Sequence, residues 1–306
     1  LTRGNLYGVP WNMNSMLIFY AKERFDAAGL DYPTDDWTFD QFVELALALT
    51  GEEDGIQYYG YQTNLSYERL ACWMRLNGDK EWDTEVEPTE ARWDQEYIME
   101  MINFQLNEVI NTLKVSPTPA VMQGGANQLQ SGNVAMKMEG PWFFPVMMGT
   151  DAQREGGTVF DVVQLPKGPN GGRAHMVFGH VLTMSNASQN KDAAWELLKF
   201  CGSEGGQKHV AAEGRQPVTP EFMRQFWVPA AQEQFGVENM EAFIGAFETG
   251  IVHLAGEVDD RYIYNEVLQA AFEAMVAGQT TAQEIIPQVN ADIQAILDDY
   301  WSRQGA

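Results

Sequence analysis

This 306-residue chain reads as an α/β protein, and three patterns predict that class. Short apolar runs of strand length recur at 16–20, 159–165 and 176–184. Between them lie stretches with helical spacing, such as Phe42, Leu45, Ala46 and Leu49, or Ile285, Val289, Ile293 and Ile296. The third pattern is the segment 133–144, where Val134, Met136 and Met138 alternate with Ala135, Lys137 and Glu139. That period of two is a short strand. Gly140-Pro141 stops it, because proline lacks an N–H and fixes φ. Trp142 therefore arrives at the strand's C-terminal end, and in open α/β sheets ligands sit beyond such ends. An indole there is either a flat apolar face for a ligand or a core aromatic, and the residues alone leave both readings open.

The remaining elements follow in order. Residues 6–10 form a strand that ends at a hinge. Residues 22–28 form a short helix with Gly29 as its left-handed stop. Thr38 with Gln41 three residues on is a capping box, and Trp37 before it is a structural staple. Residues 51–55 are an acidic loop without calcium-loop spacing. A strand is expected at 58–62 and a helix at 66–76, with Leu70, Trp73 and Met74 on its buried stripe. A charged excursion at 79–87 precedes a helix at 89–106, whose Trp93, Tyr97, Met101 and Phe104 stripe marks a core. Helices are expected at 191–201, 204–212, 220–226 and 238–247. Asp259-Asp260 cap a helix running from about 261 to 277, and Thr281 caps the last one.

Composition narrows the class further. At this length about two domains is the prior. The 43 acidic and 19 basic side chains give a net charge of −24, a surface that repels phosphate backbones and argues against nucleic acid. Mean hydropathy is −0.31, and no run approaches the roughly 18 unbroken apolar residues of a membrane span. Cys72 and Cys201 are too few for a disulfide framework or a zinc cage and read as buried thiols. No cofactor or metal site is predicted. The turn at 168–172 lacks the ending of a phosphate loop, and His175, His180, His209 and His253 lack zinc-protease spacing. His175 and His180, five apart on a strand, point to opposite faces. His180 is suited either to a ligand hydroxyl or to a structural hydrogen bond. A glycoside hydrolase would need a carboxylate pair across a cleft. With 43 acids some pair always exists; Glu139 beside Trp142 is the best single candidate, although a hydrogen-bonded place at the strand end is the expectation.

Gly132, Ala135, Met136, Gly140 and Trp142 together resemble the second-lobe strand of the extracellular solute-binding proteins of ABC importers, the maltodextrin-binding type. Further landmarks stand in the family's order. Tyr7-Gly8-Val9-Pro10 resembles the first crossing between lobes, and Phe19-Tyr20, Phe25, Gly29-Leu30 and Pro33 resemble the run after it, with Ala21 where the family has Asn. Trp37-Thr38 with Leu49-Thr50, Gly78, Leu165-Pro166, Gly179, the 190–200 helix and the 278–281 turn complete the set. The resemblance implies a hinge-linked, two-lobe periplasmic-binding-protein type II fold. Residues 1–10 would be the end of the first lobe and the hinge, 11–180 the second lobe, 181–250 a first-lobe remnant and 251–306 the C-terminal helices of the second lobe. The first lobe would be incomplete, lacking about a hundred residues. The implied function is capture of a sugar or oligosaccharide and its delivery to a membrane permease. The resemblance implies a monomer working in the periplasm or outside the cell, where family members can carry a lipid anchor. The site residues implied are Trp11, Asn12, Trp73, Trp142, Gly179, His180, Tyr264 and Asn265. Trp11 stands equally open to interface packing, Trp73 is the weaker stacker with a core role as its main reading, and Gly179 would let backbone approach the ligand.

Overall fold

The computed structural model describes residues 7–123, 128–147, 159–252, 258 and 260–304. His253 and Asp259, which figure in the sequence reading, lie outside them. The strands are β1 (Val9–Ser15), β2 (Leu17–Ala21), β3 (Gly51–Glu53), β4 (Ile56–Tyr58), β5 (Met136–Glu139), β6 (Phe160–Val163), β7 (Met176–Leu182) and β8 (Ile251–Val252). The principal helices are α1 (Lys22–Ala28), α2 (Phe39–Ala48), α3 (Tyr67–Met74), α4 (Glu96–Asn103), α5 (Lys191–Cys201), α6 (Glu204–Ala212), α7 (Val228–Phe235), α8 (Glu241–Thr249), α9 (Gln269–Val276) and α10 (Ala282–Gln304).

β2 is the centre of the molecule. All five of its residues are buried, as expected of a continuous apolar run covered on both faces. It lies antiparallel between β5 and β6 in the order β5-β2-β6. Ile18 and Tyr20 face one core, shared with Phe42, Trp73 and Ile102. Leu17, Phe19 and Ala21 face a second core with Phe144, Trp227 and Phe243. The alternation of strand side chains thus puts one strand at the heart of two hydrophobic layers. The chain at 59–62 runs parallel along the free edge of β5, with Tyr59 N donating to Asn133 O (2.9 Å) and Gln62 N to Met136 O (2.8 Å).

A second sheet, β1-β7-β8, pairs β1 antiparallel with β7. The strand expected to stop at Pro10 instead runs on to Ser15, with a register irregularity between Pro10 and Asn12. Edge strands and bulges are where a ladder tolerates proline. Other local readings hold: Gly29 has φ 65°, Thr38 and Gln41 form the reciprocal capping box, and Trp37 is buried with Nε1 donating to Gln164 O (2.7 Å). The long helices are less regular than their periodicity predicts. The 89–106 helix begins only at Glu96 and widens into a π-helical stretch, Phe104–Thr112. The helix expected over about 261–277 passes through a π-turn at Tyr264–Leu268.

The segment 181–250 does not stand apart. Met13 N donates to Gln216 O (3.0 Å) and Ser15 Oγ to Phe243 O (3.2 Å). Phe144 packs on Phe235 and Phe243 at ring distances of 4.9 and 5.7 Å. The helices that follow α6 therefore cover the sheet of the 11–180 region, because Phe19, Phe144 and Phe160 need apolar partners on that face.

Candidate ligand-binding site

The site is built at the C-terminal end of β5. Trp142 sits in a single 3-10 turn, Pro141–Phe143, closed by Phe143 N donating to Gly140 O (2.9 Å). The indole folds back over Gly140, where a Cβ would collide with its ring. Glycine is required here for that close approach. Trp142 is 39% exposed, and its Nε1 donates to Glu139 Oε2 at 3.0 Å. The same carboxylate pairs with Arg69 and with Lys137 Nζ (3.0 Å), and its side chain is 6% exposed. Arg69 also donates from Nε to Met138 O (3.1 Å) and from Nη1 to Ser66 Oγ (3.0 Å), tying the first turn of α3 to the strand end. Its guanidinium lies 5.8 Å from the Trp142 ring centre. Glu139 is thus a clamp that fixes the plane of the indole. Both its oxygens are committed, so it is poorly placed to act as a proton donor to a glycosidic bond.

The β1/β7 ladder forms the adjoining wall. Asn12 pairs with His180 and Asn14 with Phe178, and residues directly opposite in an antiparallel ladder share a face. His180 Nδ1 lies 2.9 Å from Asn12 Oδ1. Phe178 meets Trp142 at 5.6 Å between ring centres, at 40°. Asn14, 5% exposed, has an Nδ2 without a partner among the described residues. The arrangement is a half-exposed aromatic shelf bordered by amide, imidazole and carboxylate groups. Such mixed chemistry suits a polar ligand with apolar ring faces.

Of the predicted residues, the structure brings together Trp142, Asn12 and His180. Trp73 is elsewhere: it is 1% exposed, packed on Phe42 at 5.0 Å and Tyr61 at 6.0 Å, and belongs to the core. Trp11 lies at the irregular start of β1, where its carbonyl accepts from Gln207 Nε2 of α6 (3.0 Å). Gly179 is exposed on β7, and a Cβ there would lie 2.5 Å from Met13 Sδ and 2.8 Å from Asn12 O. Its lack of a side chain serves strand packing. Tyr264 is half-buried against Phe272. Burial first, then the carboxylates of Glu273 and Glu68, raises its phenol pKa. Asn265 is exposed on the same turn. Phe178, Asn14 and Arg69 were not singled out by sequence. Phe178 was legible only as a strand residue, and nothing in its spacing says that the strand end is open. Among the described residues no cluster of His, Cys, Asp and Glu is suited to a metal. Both cysteines are free and buried, and burial raises the Cys72 thiol to about 12.

An α/β body with an aromatic shelf beyond a strand end, beside a two-strand crossing, is the architecture of a two-lobe solute-binding protein. The chain belongs to the bacterial extracellular solute-binding protein family, whose pattern matches residues 1–208. A Brucella abortus (strain 2308) protein named only as a binding protein is 25% identical over 228 residues, 71% of this chain and 52% of its own. The chain thus spans about half the length of the curated relatives it matches. Solved structures share the fold. An ABC substrate-binding protein of Listeria monocytogenes in complex with cycloalternan superposes with a TM-score of 0.82 at 22% identity, over 96% of this chain and 72% of that one. The sugar-binding protein MalE of Xanthomonas citri gives 0.77 at 19%, over 100% and 74%. The GacH receptor of Streptomyces glaucescens, solved unliganded and with acarbose, gives 0.75 at 20%, over 97% and 72%. The family and these neighbours are binding proteins. No described helix is long and apolar enough to cross a membrane.

Proposed function

We propose that this protein is the substrate-binding receptor of an ABC importer, working in the periplasm or at the outer face of the cell. It captures a neutral sugar or oligosaccharide and presents it to a membrane permease. The observation that carries this reading is the Trp142 shelf, an indole held in plane by Glu139 and left 39% exposed beside Phe178. Pyranose rings present apolar C–H faces to such a surface while their hydroxyls meet groups like Asn12 and His180. The ligand is neutral because Arg69 and Lys137, the cations beside the shelf, are both engaged by Glu139; a phosphate would need cations free to meet it. Closure would bend the β1/β7 crossing and the chain near Gly250, a hinge movement of the usual kind. The exposed Trp195, Leu197 and Phe200 on α5 are suited to contact with further first-lobe structure.

The test is calorimetric titration with a panel of neutral mono-, di- and trisaccharides, with the mixtures then checked for cleavage products. Saturable binding without turnover is expected. Product formation would return the hydrolase reading, and no heat from any sugar at millimolar concentration would overturn the receptor reading.

A further inference from the structure

We infer that Gln216 is a positioning residue of the ligand site: buried away from the ligand itself, it holds β1 in the register that presents Asn14 to the sugar. This rests on the sugar-receptor reading. β1 is the outer strand of the β1-β7-β8 sheet, and its backbone pairs with β7 on one side only. In an antiparallel pair, alternate residues turn their N–H and C=O groups away from the partner. On β1 these are Trp11, Met13 and Ser15, and no strand lies beyond them among the described residues. Buried backbone groups left unpaired there would be costly. Two glutamines serve in place of a strand, and both are 0% exposed. Gln216 is used twice. Its backbone O accepts from Met13 N (3.0 Å), and its side-chain Oε1 accepts from Ser15 N (3.1 Å) and Ser15 Oγ (3.3 Å). Gln207 Nε2 donates to Trp11 O (3.0 Å), while its Oε1 accepts from Val218 N (2.9 Å) and so ties α6 to the Gln216 segment.

These bonds fall where the ladder itself is least able to set the register. The pairing of β1 with β7 is irregular between Pro10 and Asn12, and proline has no N–H to give. A slip of one residue would turn every side chain of the strand to the opposite face. Met13 or Ser15 would then stand opposite Phe178, the ring that meets Trp142, and Asn14 would be turned from it. Asn14 is 5% exposed, and its Nδ2 has no partner among the described residues. Buried amide donors are almost always satisfied, so this one is a donor held for a ligand acceptor such as a sugar hydroxyl oxygen. Gln216, 201 residues along the chain from Ser15, fixes where that donor stands.

The experiment measures calorimetric affinity for the tightest-binding neutral sugar, and the urea unfolding midpoint, in the wild type, Gln216→Met and Ser15→Ala, each with and without Asn14→Ala. Methionine keeps the length of the glutamine and removes its acceptor. Folded Gln216→Met should bind about tenfold more weakly than the wild type, because a small misplacement of a contact group suffices for such a loss. Its unfolding midpoint should fall as well, since Ser15 N is left unpaired. Ser15→Ala removes only the hydroxyl contact and should lose about threefold; it carries the test if the methionine variant does not fold. Asn14→Ala alone should cost about tenfold, the worth of a buried hydrogen bond to the ligand. In that background Gln216→Met and Ser15→Ala should each cost less than about twofold more, because the group they position is gone. A glutamine with a merely structural role would lower the midpoint and leave affinity within about twofold of wild type, or would cost the same affinity in both backgrounds. Either result would overturn the proposal while leaving the receptor reading intact, as would unchanged affinity in Asn14→Ala. If no sugar binds the wild type, the receptor reading falls and this proposal with it.

Discussion

Helix α3 carries the same ion pair at each end, put to opposite uses. At its C-terminal cap, Arg75 grips Glu81 with two bonds, Nε to Oε2 at 2.9 Å and Nη2 to Oε1 at 2.6 Å, and reaches Glu85 at 3.1 Å. The Arg75 and Glu81 side chains are 1% and 0% exposed, and the Tyr67 hydroxyl donates to the same carboxylate. At the first turn, Arg69 pairs with Glu139, but there the carboxylate has a third donor, Trp142, that faces solvent. Two histidines around β7 repeat the contrast. His175 is fully buried on Met16 O (2.9 Å), and His180 is exposed beside Asn12. Trp73 and Trp142 repeat it again. Residue chemistry is the same in the interior and at the rim. What makes the rim a site is a group fixed on one side and open on the other.

The interior members should carry stability and leave binding alone. Arg75→Met would strand Glu81 in a fully buried place, and removing one partner of a buried pair costs about 3–5 kcal/mol. Urea unfolding should show that loss, while the folded fraction binds ligand within about twofold of wild type, as expected of a site not in contact with it. A large affinity loss at unchanged stability would break the division between interior and rim. His175 should show the same interior character through pH. Burial holds its pKa down at about 4, against roughly 6.5 unfolded. The unfolded chain takes up the proton first as pH falls, so this contribution to stability is complete above about 6.5 and is lost on the way down through 4. The slope reaches at most about 1.4 kcal/mol per pH unit, near 3 kcal/mol in all. Unfolding of the wild type and His175→Gln across pH 7 to 4 should therefore diverge; parallel curves would mean that the imidazole is not held neutral.

Much of the fold was legible because its signals are local. The apolar run of β2, the alternation ending at Gly140-Pro141, the Thr38–Gln41 box and the Gly29 stop each act within a few residues, and each is where the sequence places it. The site was legible in part. Trp142 could be found because Gly-Pro ends a strand and leaves the next side chain beyond it. Trp73 could not be excluded by period: five consecutive residues of α3, Leu70 to Met74, are all buried, so the helix has no solvent face to mark which residues are inside. Arg69 and Arg75 look alike in sequence because their partners lie 70 and 6 residues away, and only the fold brings Glu139 to the first. The 181–250 segment was assigned by resemblance, whereas its packing is set by the apolar face of β2 that it has to cover.

The rim members should do the reverse. Trp142→Ala should cost about 10- to 100-fold in affinity, the scale of a buried aromatic hot spot. It should change stability by under about 1 kcal/mol, because the side chain is not core. Arg69 supplies the finest test. Arg69→Met leaves Glu139 its bonds to Lys137 and Trp142, so the cost to folding should be near 1 kcal/mol and not the 3–5 of a stranded charge. Affinity should fall by about three- to tenfold because the indole loses its lateral support. Arg69→Lys then separates charge from geometry. Lysine keeps the positive charge but cannot span Met138 O, Ser66 Oγ and Glu139 at once, as the guanidinium fork does. If Arg69→Lys binds the same sugar no better than Arg69→Met does, the arginine works by holding the shelf in position. Wild-type affinity would show that a nearby charge suffices, and the rim would then differ from the interior only in its exposure to water.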